Sequence, residues 1–440
     1  MFPLRQQHMQ QRIVIVGGGA GGLELACKLG RKLGAEQVTL VDMQLFHIWK
    51  PSLHEVAAGT LDIHQEGLSY EMLAHDNRFT FCFGAMTALD SEARTVTVSA
   101  VTDDNGEELV PERTLPFDQL VVSVGSTANH FNVPGAAEHT LSLNRPADAE
   151  QFRLRMLKLL TAAELRKSAG NEAQVRIVII GGGATGVELA AELREASVVH
   201  SRYGFRRLDP NTDVRITLLE GADRILAPLP KKVSIAAAHL LKERHVTIET
   251  DCRVARITPE QVEDATGRVF AADLVVWAAG IKAPSLLAEL GLPTNRSGQL
   301  EVEGNLQVKG HTNIFALGDC AACPMADGKL VPPRAQAAHQ QASYLVTRLM
   351  RRAMEQPERD DAYVYKDHGS LVSVGTQTSV GNLMGNLFRS TWYVQGVLAR
   401  TMYVSLHLMH HQAVLGTLRT GVLAVARFLV KRATPLVKLH

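Results

Sequence analysis

Six glycines in two identical spacings are the first residues of this chain that could do chemistry. Gly17, Gly19 and Gly22 follow the apolar run Ile13-Val14-Ile15-Val16, and Gly181, Gly183 and Gly186 follow Ile177-Val178-Ile179-Ile180. In a G-x-G-x-x-G loop between a strand and a helix, the first glycine makes the tight turn. The second lets a pyrophosphate approach the backbone, and the third lets helix and strand close up. Each loop has an acid at a later strand end, where it can accept ribose hydroxyls. Asp42 closes Val38-Thr39-Leu40-Val41, 20 residues past Gly22, and Glu220 closes Ile216-Thr217-Leu218-Leu219, 34 residues past Gly186. A longer helix and loop over 195–213 accounts for the second spacing. Glu220 is expected to accept the 2′-hydroxyl of NAD and to repel the 2′-phosphate of NADP.

The elements around these loops also come in pairs. A closing strand over 117–126, ending at Gly125-Ser126, matches a second over 272–280, ending Trp277-Ala278-Ala279-Gly280. A whole domain is therefore repeated, and two dinucleotides are expected face to face. One should be a tightly held flavin and the other a nicotinamide, because hydride exchange between them needs both. A third stretch completes the set. Ile314-Phe315-Ala316-Leu317 stops on Gly318-Asp319, where a glycine admits a ligand and an aspartate accepts from sugar-like hydroxyls. A helix then opens at Ala335-Gln336-Ala337-Ala338-His339-Gln340. Glu188, two residues past the second loop, is expected near the nicotinamide, or else is a first-turn acid that favours the helix dipole. Gln336 and Gln340 can donate to a carbonyl, although exposed helix glutamines need no such role.

At 440 residues with 46% apolar content, the chain has room for two or three domains. Its five cysteines are an odd and mostly scattered set, which suits a reducing cytoplasm. Cys320-Ala321-Ala322-Cys323 reads as small residues in a turn, with a dithiol or half a metal site as the alternative, and no metal is expected. The net charge of +1 hides an asymmetry: 368–440 holds no acid and carries +7, leaving −6 on the rest. No segment is apolar enough to cross a bilayer. Over 416–431, Arg419, Thr420, Arg427 and Lys431 share one helical sector opposite Leu418, Val422, Val425 and Leu429. With an upstream run over 397–418, this suggests a two-helix platform lying on a membrane, its bases towards anionic headgroups. The competing occupants of the apolar face are the protein's own domains or a dimer partner. The tail is too apolar to favour nucleic acid.

These motifs together resemble a bacterial type II NADH dehydrogenase, a flavoprotein with two dinucleotide-binding domains. The matching stretches are IVIVGGGAGGLELA, FHIWKPSLHEVAAG at 46–59, IVIIGGGATGVELAAEL at 177–193, WAAGIKAP at 277–284, IFALGDCA, PPRAQAAHQQA and the tail ending Val437-Lys438-Leu439-His440. The resemblance implies an α/β fold of two interleaved Rossmann-type domains plus a C-terminal amphipathic anchor. It implies non-covalent FAD at Gly17, Gly19, Gly22 and Asp42, reached also by Gly125, Gly318, Asp319 and Lys50. NADH would lie at Gly181, Gly183, Gly186, Glu220 and Gly280. Glu188 would orient the nicotinamide, and Gln336 and Gln340 would stand beside the flavin ring and a membrane quinone. The implied layout is an FAD domain over 11–145 and 291–366, an NADH domain over 146–290 and an anchoring region over 367–440. The implied activity is NADH:quinone oxidoreduction without proton pumping, on the cytoplasmic face of the bacterial inner membrane.

Overall fold

A computed structural model describes residues 11–359, 361–375, 379–384 and 391–433. Arg389 and the final residues Val437 to His440, which belong to the basic tail, lie outside the described residues.

The apolar runs become the central strands of two parallel sheets. Ile13–Val16 and Val175–Ile180 are rich in β-branched residues and almost wholly buried, as strands covered on both faces should be. In the first sheet the order is Thr80–Phe83, Val38–Asp42, Ile13–Val16, Gln119–Val122 and Ile314–Ala316. The second repeats it with Val246–Glu249, Val214–Leu219, Val175–Ile180, Leu274–Trp277 and Leu141–Ser142. The last strand of the first sheet, Ile314–Ala316, comes only after the whole second unit has been traced, so the second unit is inserted into the first. The pair Leu141–Ser142 already belongs to the second sheet, a few residues ahead of the boundary at 146 read from the sequence. The two crossovers, Thr127–Ala128 and Ile281–Lys282, pair antiparallel side by side.

Six helices carry or brace the candidate site residues. Helix α1 (Ala20–Leu33) runs from the first glycine loop. The short α2 (Leu53–Ala58) packs into the second unit: its Leu53, Val56 and Ala57 are buried in one cluster with Ile179, Val187 and Ala190. Helix α3 (Ala184–Tyr203) leaves the second glycine loop. Helix α4 (Ala335–Ala353) lies against α1, where Ala338 would crowd any side chain at Gly21.

After a three-stranded antiparallel sheet of Gly369–Ser373, Ser379–Met384 and Thr391–Gly396 come α5 (Val397–Leu415) and α6 (Thr417–Ala433), the two helices expected there. The orientation of α6 corrects the reading of its charges. Arg419 pairs with Asp76 and Arg427 with Glu66, both on the first unit. Leu418, Val422, Val425 and Leu429 face outward, 82%, 62%, 61% and 60% exposed. Acids of the first unit hold these two bases, Arg419 at the surface and Arg427 half-buried, and the apolar stripe is left exposed. Among the described residues no helix is long and apolar enough to cross a membrane.

Candidate active site

The two glycine loops adopt one geometry. Gly17 and Gly181 have φ of +98° and +111°, a region that side chains avoid, and a Cβ on either would strike backbone of the neighbouring closing strand or its exit. A Cβ on Gly22 would collide with the Gly17 carbonyl, and one on Gly186 with the Gly181 carbonyl. At Gly19 and Gly183 none of the described residues comes within 4 Å of where a Cβ would stand. Each loop therefore opens a cradle before unpaired helix N–H groups, and that donor set fits a pyrophosphate.

The strand-end acids also match. The Gly18 N–H donates to Asp42 Oδ2 at 2.6 Å, and the Gly182 N–H to Glu220 Oε2 at 2.6 Å. The second oxygen of each accepts from the backbone two residues on, from Gln44 and Ala222, both at 2.8 Å. Burial raises the Asp42 carboxyl above its usual range, against the pull of the Gly18, Gln44 and Met43 amides. Thus each acid shapes its own loop.

Several residues that brace the first loop have no motif of their own. Tyr70 Oη donates to the Gly18 carbonyl at 2.7 Å, and His47 Nδ1 lies 3.0 Å from the same oxygen. His47 Nε2 in turn meets His410 Nε2 of α5 at 2.9 Å. Burial pushes the His47 imidazole down to about 4 and that of His410 well below its usual value. Two neutral rings at this spacing share one proton, which couples α5 to the loop.

A second group gathers at the open ends of the first sheet. Asp319 accepts from Ser126 Oγ at 2.7 Å, and Lys50 Nζ donates to the Ser126 carbonyl at 3.0 Å. Gly125 and Gly318 have φ of +71° and +73°. The Gly318 N–H donates to Gln341 Oε1 at 2.7 Å, which ties α4 to this turn. Gly280, with φ +67°, sits beside the Phe131 ring where the crossovers pair. The cysteines beside Asp319 are both buried, and burial raises the thiol of Cys320 to about 12 and that of Cys323 to about 11. Thiols held this far from ionisation are poor nucleophiles. No group of three or more potential metal ligands is assembled among the described residues.

The structure brings Glu188 to the junction of the units. It is buried on α3, accepts from the Ser373 N–H at 3.0 Å, and lies 3.6 Å from His54 Nδ1 of α2. His54 is 2% exposed, its Nε2 has no hydrogen-bond partner among the described residues, and its pKa is raised because Glu188, Glu55 and Glu192 outweigh burial. On α4, Gln336 Oε1 accepts from Tyr365 Oη at 2.8 Å. Both ends of the Gln340 amide meet the Lys366 backbone, at 2.8 and 3.0 Å, so a substrate carbonyl would have to displace that pair. His339 Nδ1 reaches the fully buried Glu24 at 2.5 Å. Sequence reasoning missed Tyr70, His54, Ser126 and Gln341. His54 stands within the FHIWKPSLHEVAAG stretch at 46–59, Gln341 within PPRAQAAHQQA and Ser126 at the end of the first closing strand, but none of these is given a role there.

The chain matches the family model of the pyridine nucleotide-disulphide oxidoreductases over residues 4–342. It is 37% identical over 446 residues to a type II NADH:quinone oxidoreductase of Haemophilus influenzae, covering 98% of this chain and 100% of that one. A demethylphylloquinone reductase of Synechocystis is 32% identical over 85% of this chain and 87% of its own. In fold, the chain is similar to NDH2 from Plasmodium falciparum, solved in complex with NADH. The TM-score is 0.81 at 17% identity, covering 98% of this chain and 100% of that one.

Proposed function

This chain belongs to the pyridine nucleotide-disulphide oxidoreductases and, within them, to the type II NADH:quinone oxidoreductases, and from that premise we propose how its residues share the work. It is an FAD-dependent NADH:quinone oxidoreductase that pumps no protons. The observation that carries this is the 37% identity running the length of both chains.

In our reading Gly17, Gly19, Gly22 and Asp42 hold the pyrophosphate and ribose of FAD. Lys50, Gly125, Gly318 and Asp319 line its course towards the ring. Gly181, Gly183, Gly186 and Glu220 hold NADH, with Gly280 leaving room at the nicotinamide end. FAD, when bound, supplies hydride acceptance and onward transfer of two electrons. The protein's own contribution is to align two flat rings and keep water out. Glu188 is fixed by Ser373 and His54 at the junction of the units, where it orients the nicotinamide. Gln336 and Gln340 flank the quinone end, and Gln340 exchanges the Lys366 backbone for a quinone carbonyl. The domain limits follow the interleaving, 11–145 with 291–366 for FAD and 146–290 for NADH, the second gaining 141–142.

The enzyme is associated with a membrane at its periphery. We assign the contact to the outward stripe of α6, with Val404, Leu406 and Met409 of α5, lying in an anionic bilayer surface on the cytoplasmic face. These side chains are 43% to 82% exposed, and a stripe of that kind gains by entering the interface. The test is NADH oxidation by FAD-loaded protein, with a water-soluble quinone in buffer and a lipid-tailed quinone in anionic vesicles. Both should be reduced, one quinol per NADH, and the protein should pellet with the vesicles. Protein that holds FAD and reduces neither quinone sinks the assignment. Protein that dimerises instead of pelleting gives the stripe to a second copy of the chain.

A further inference from the structure

Helix α3 carries Glu188, Glu192 and Glu195 on one face, and that face packs against α2. Glu188 and Glu192 are 6% and 4% exposed, while Glu195 is half-buried and pairs with Arg244 at 3.8 Å. Opposite stand His54 and Glu55 of α2, followed by Thr60. The roles proposed above use Glu188 and leave Glu192 idle, although a buried carboxyl with acids for neighbours is costly unless it is neutralised.

Thr60 is its hydrogen-bond donor. Its Oγ1 lies 3.2 Å from the Glu55 carbonyl and 3.1 Å from Glu192 Oε2. A hydroxyl has one proton, and a backbone carbonyl can only accept. The Glu55 carbonyl is already met by the Thr60 N–H at 2.9 Å, so the hydroxyl can donate to Glu192, a bond set against the negative charges of Glu55 and Glu195. Against the Thr60 bond and the charge of His54, burial, and next the charge of Glu55, push the Glu192 carboxyl up to about 7. Such a group holds a proton at neutral pH and gives it up readily.

We infer that Glu192 is the proton store of the site, a positioning residue that keeps His54 and Glu188 supplied with the proton that quinone reduction consumes. The inference rests on the assignment of Glu188 to the redox centre. The balance is NADH + H+ + quinone giving NAD+ + quinol. The hydride accounts for two electrons and one hydrogen of the quinol, and the second hydrogen is a proton from solvent. Glu192 releases its O–H proton towards His54 and Glu188, and regains one from the Glu195 end of the face, which is open to water. The groups facing Glu192 are His54, Glu55 and Thr60, with Glu188 and Glu195 on its own helix. Arg244 stands beside Glu195, and Arg427 of α6 is within electrostatic reach of Glu55.

The experiment uses full-length, FAD-loaded protein carrying Glu192→Gln, Glu55→Gln or Glu188→Gln. Quinone turnover is followed over roughly pH 5.5–9, and flavin bleaching by NADH is followed anaerobically. In wild type, turnover should decline as Glu192 loses its proton above about pH 7. E192Q should lower quinone turnover by roughly tenfold near neutrality and abolish that decline, with flavin bleaching unaltered. E55Q removes a negative charge that raises Glu192, so its decline should begin at lower pH. An E192Q profile that overlays wild type overturns the inference, as does an E55Q profile that does not move. If E188Q is impaired while E192Q behaves as wild type, the proton store alone fails. If E188Q alters neither half-reaction, the assignment of Glu188 fails with it.

Discussion

Asp42 and Glu220 each have one oxygen on the amide of the middle loop glycine and the other on the backbone two residues ahead. An acid that shapes a loop and, in the roles proposed for it, accepts from a ribose should be sensitive to loss of its charge. Glu220→Ser removes a charge-assisted contact of about 1.5–3 kcal/mol, which predicts a roughly tenfold to hundredfold fall in kcat/KM for NADH. It also removes the repulsion of a 2′-phosphate, so the ratio of NADH to NADPH efficiency should shrink. Steady-state kinetics with both nucleotides checks this, and an unchanged ratio would show that Glu220 only braces Gly182. Both acids were legible in the sequence because strand, loop, helix and acid follow one another along the chain. Ser126, Thr60 and Gln341 were not. Ser126 meets Asp319 across 193 positions and Thr60 meets Glu192 across 132, and no local pattern marks a partner so far away.

Helix α6 shows what periodicity can tell and what it leaves open. A helical wheel says which residues share a face, but the direction of the face depends on what the helix packs against. The two helices and both stripes were legible; the pairing of Arg419 and Arg427 with the first unit was not, because Asp76 and Glu66 lie more than 300 positions away. The geometry separates two kinds of variant. Val422→Asp with Val425→Asp should free the protein from vesicles and abolish lipid-quinone reduction, with FAD and water-soluble quinone activity retained. Arg427→Gln should leave the protein on vesicles, because Arg427 is committed to Glu66 and lies 3.2 Å from His411. Vesicle sedimentation decides between them. Release by R427Q and retention by the aspartates would mean that the bases, not the apolar stripe, hold the membrane.

The repeated domain and the late Gly318-Asp319 strand made the interleaving of two units legible, yet interleaving alone suggests units that could be separated. The paired crossovers encourage that view, since Ala128 and Ile281 stand opposite one another and a short linker could join them. Helix α2 argues against it. It comes from the first unit, but Leu53 and Val56 are 3% and 0% exposed within the core of the second. Full burial of such a side chain contributes about 1.5–3 kcal/mol, so each unit completes the other. An excised first unit, with 129–280 replaced by a linker, should therefore self-associate and hold FAD weakly. Leu53→Ser with Val56→Ser should restore it to a monomer, because that pair no longer needs a cover. In the full-length chain the same two changes should lower the melting temperature by several degrees, since there the cover is present and its contacts are lost. Analytical sedimentation and flavin stoichiometry read both cases. A monomeric excised unit with full FAD would show that the junction around Glu188 is a docked surface, free to open during turnover.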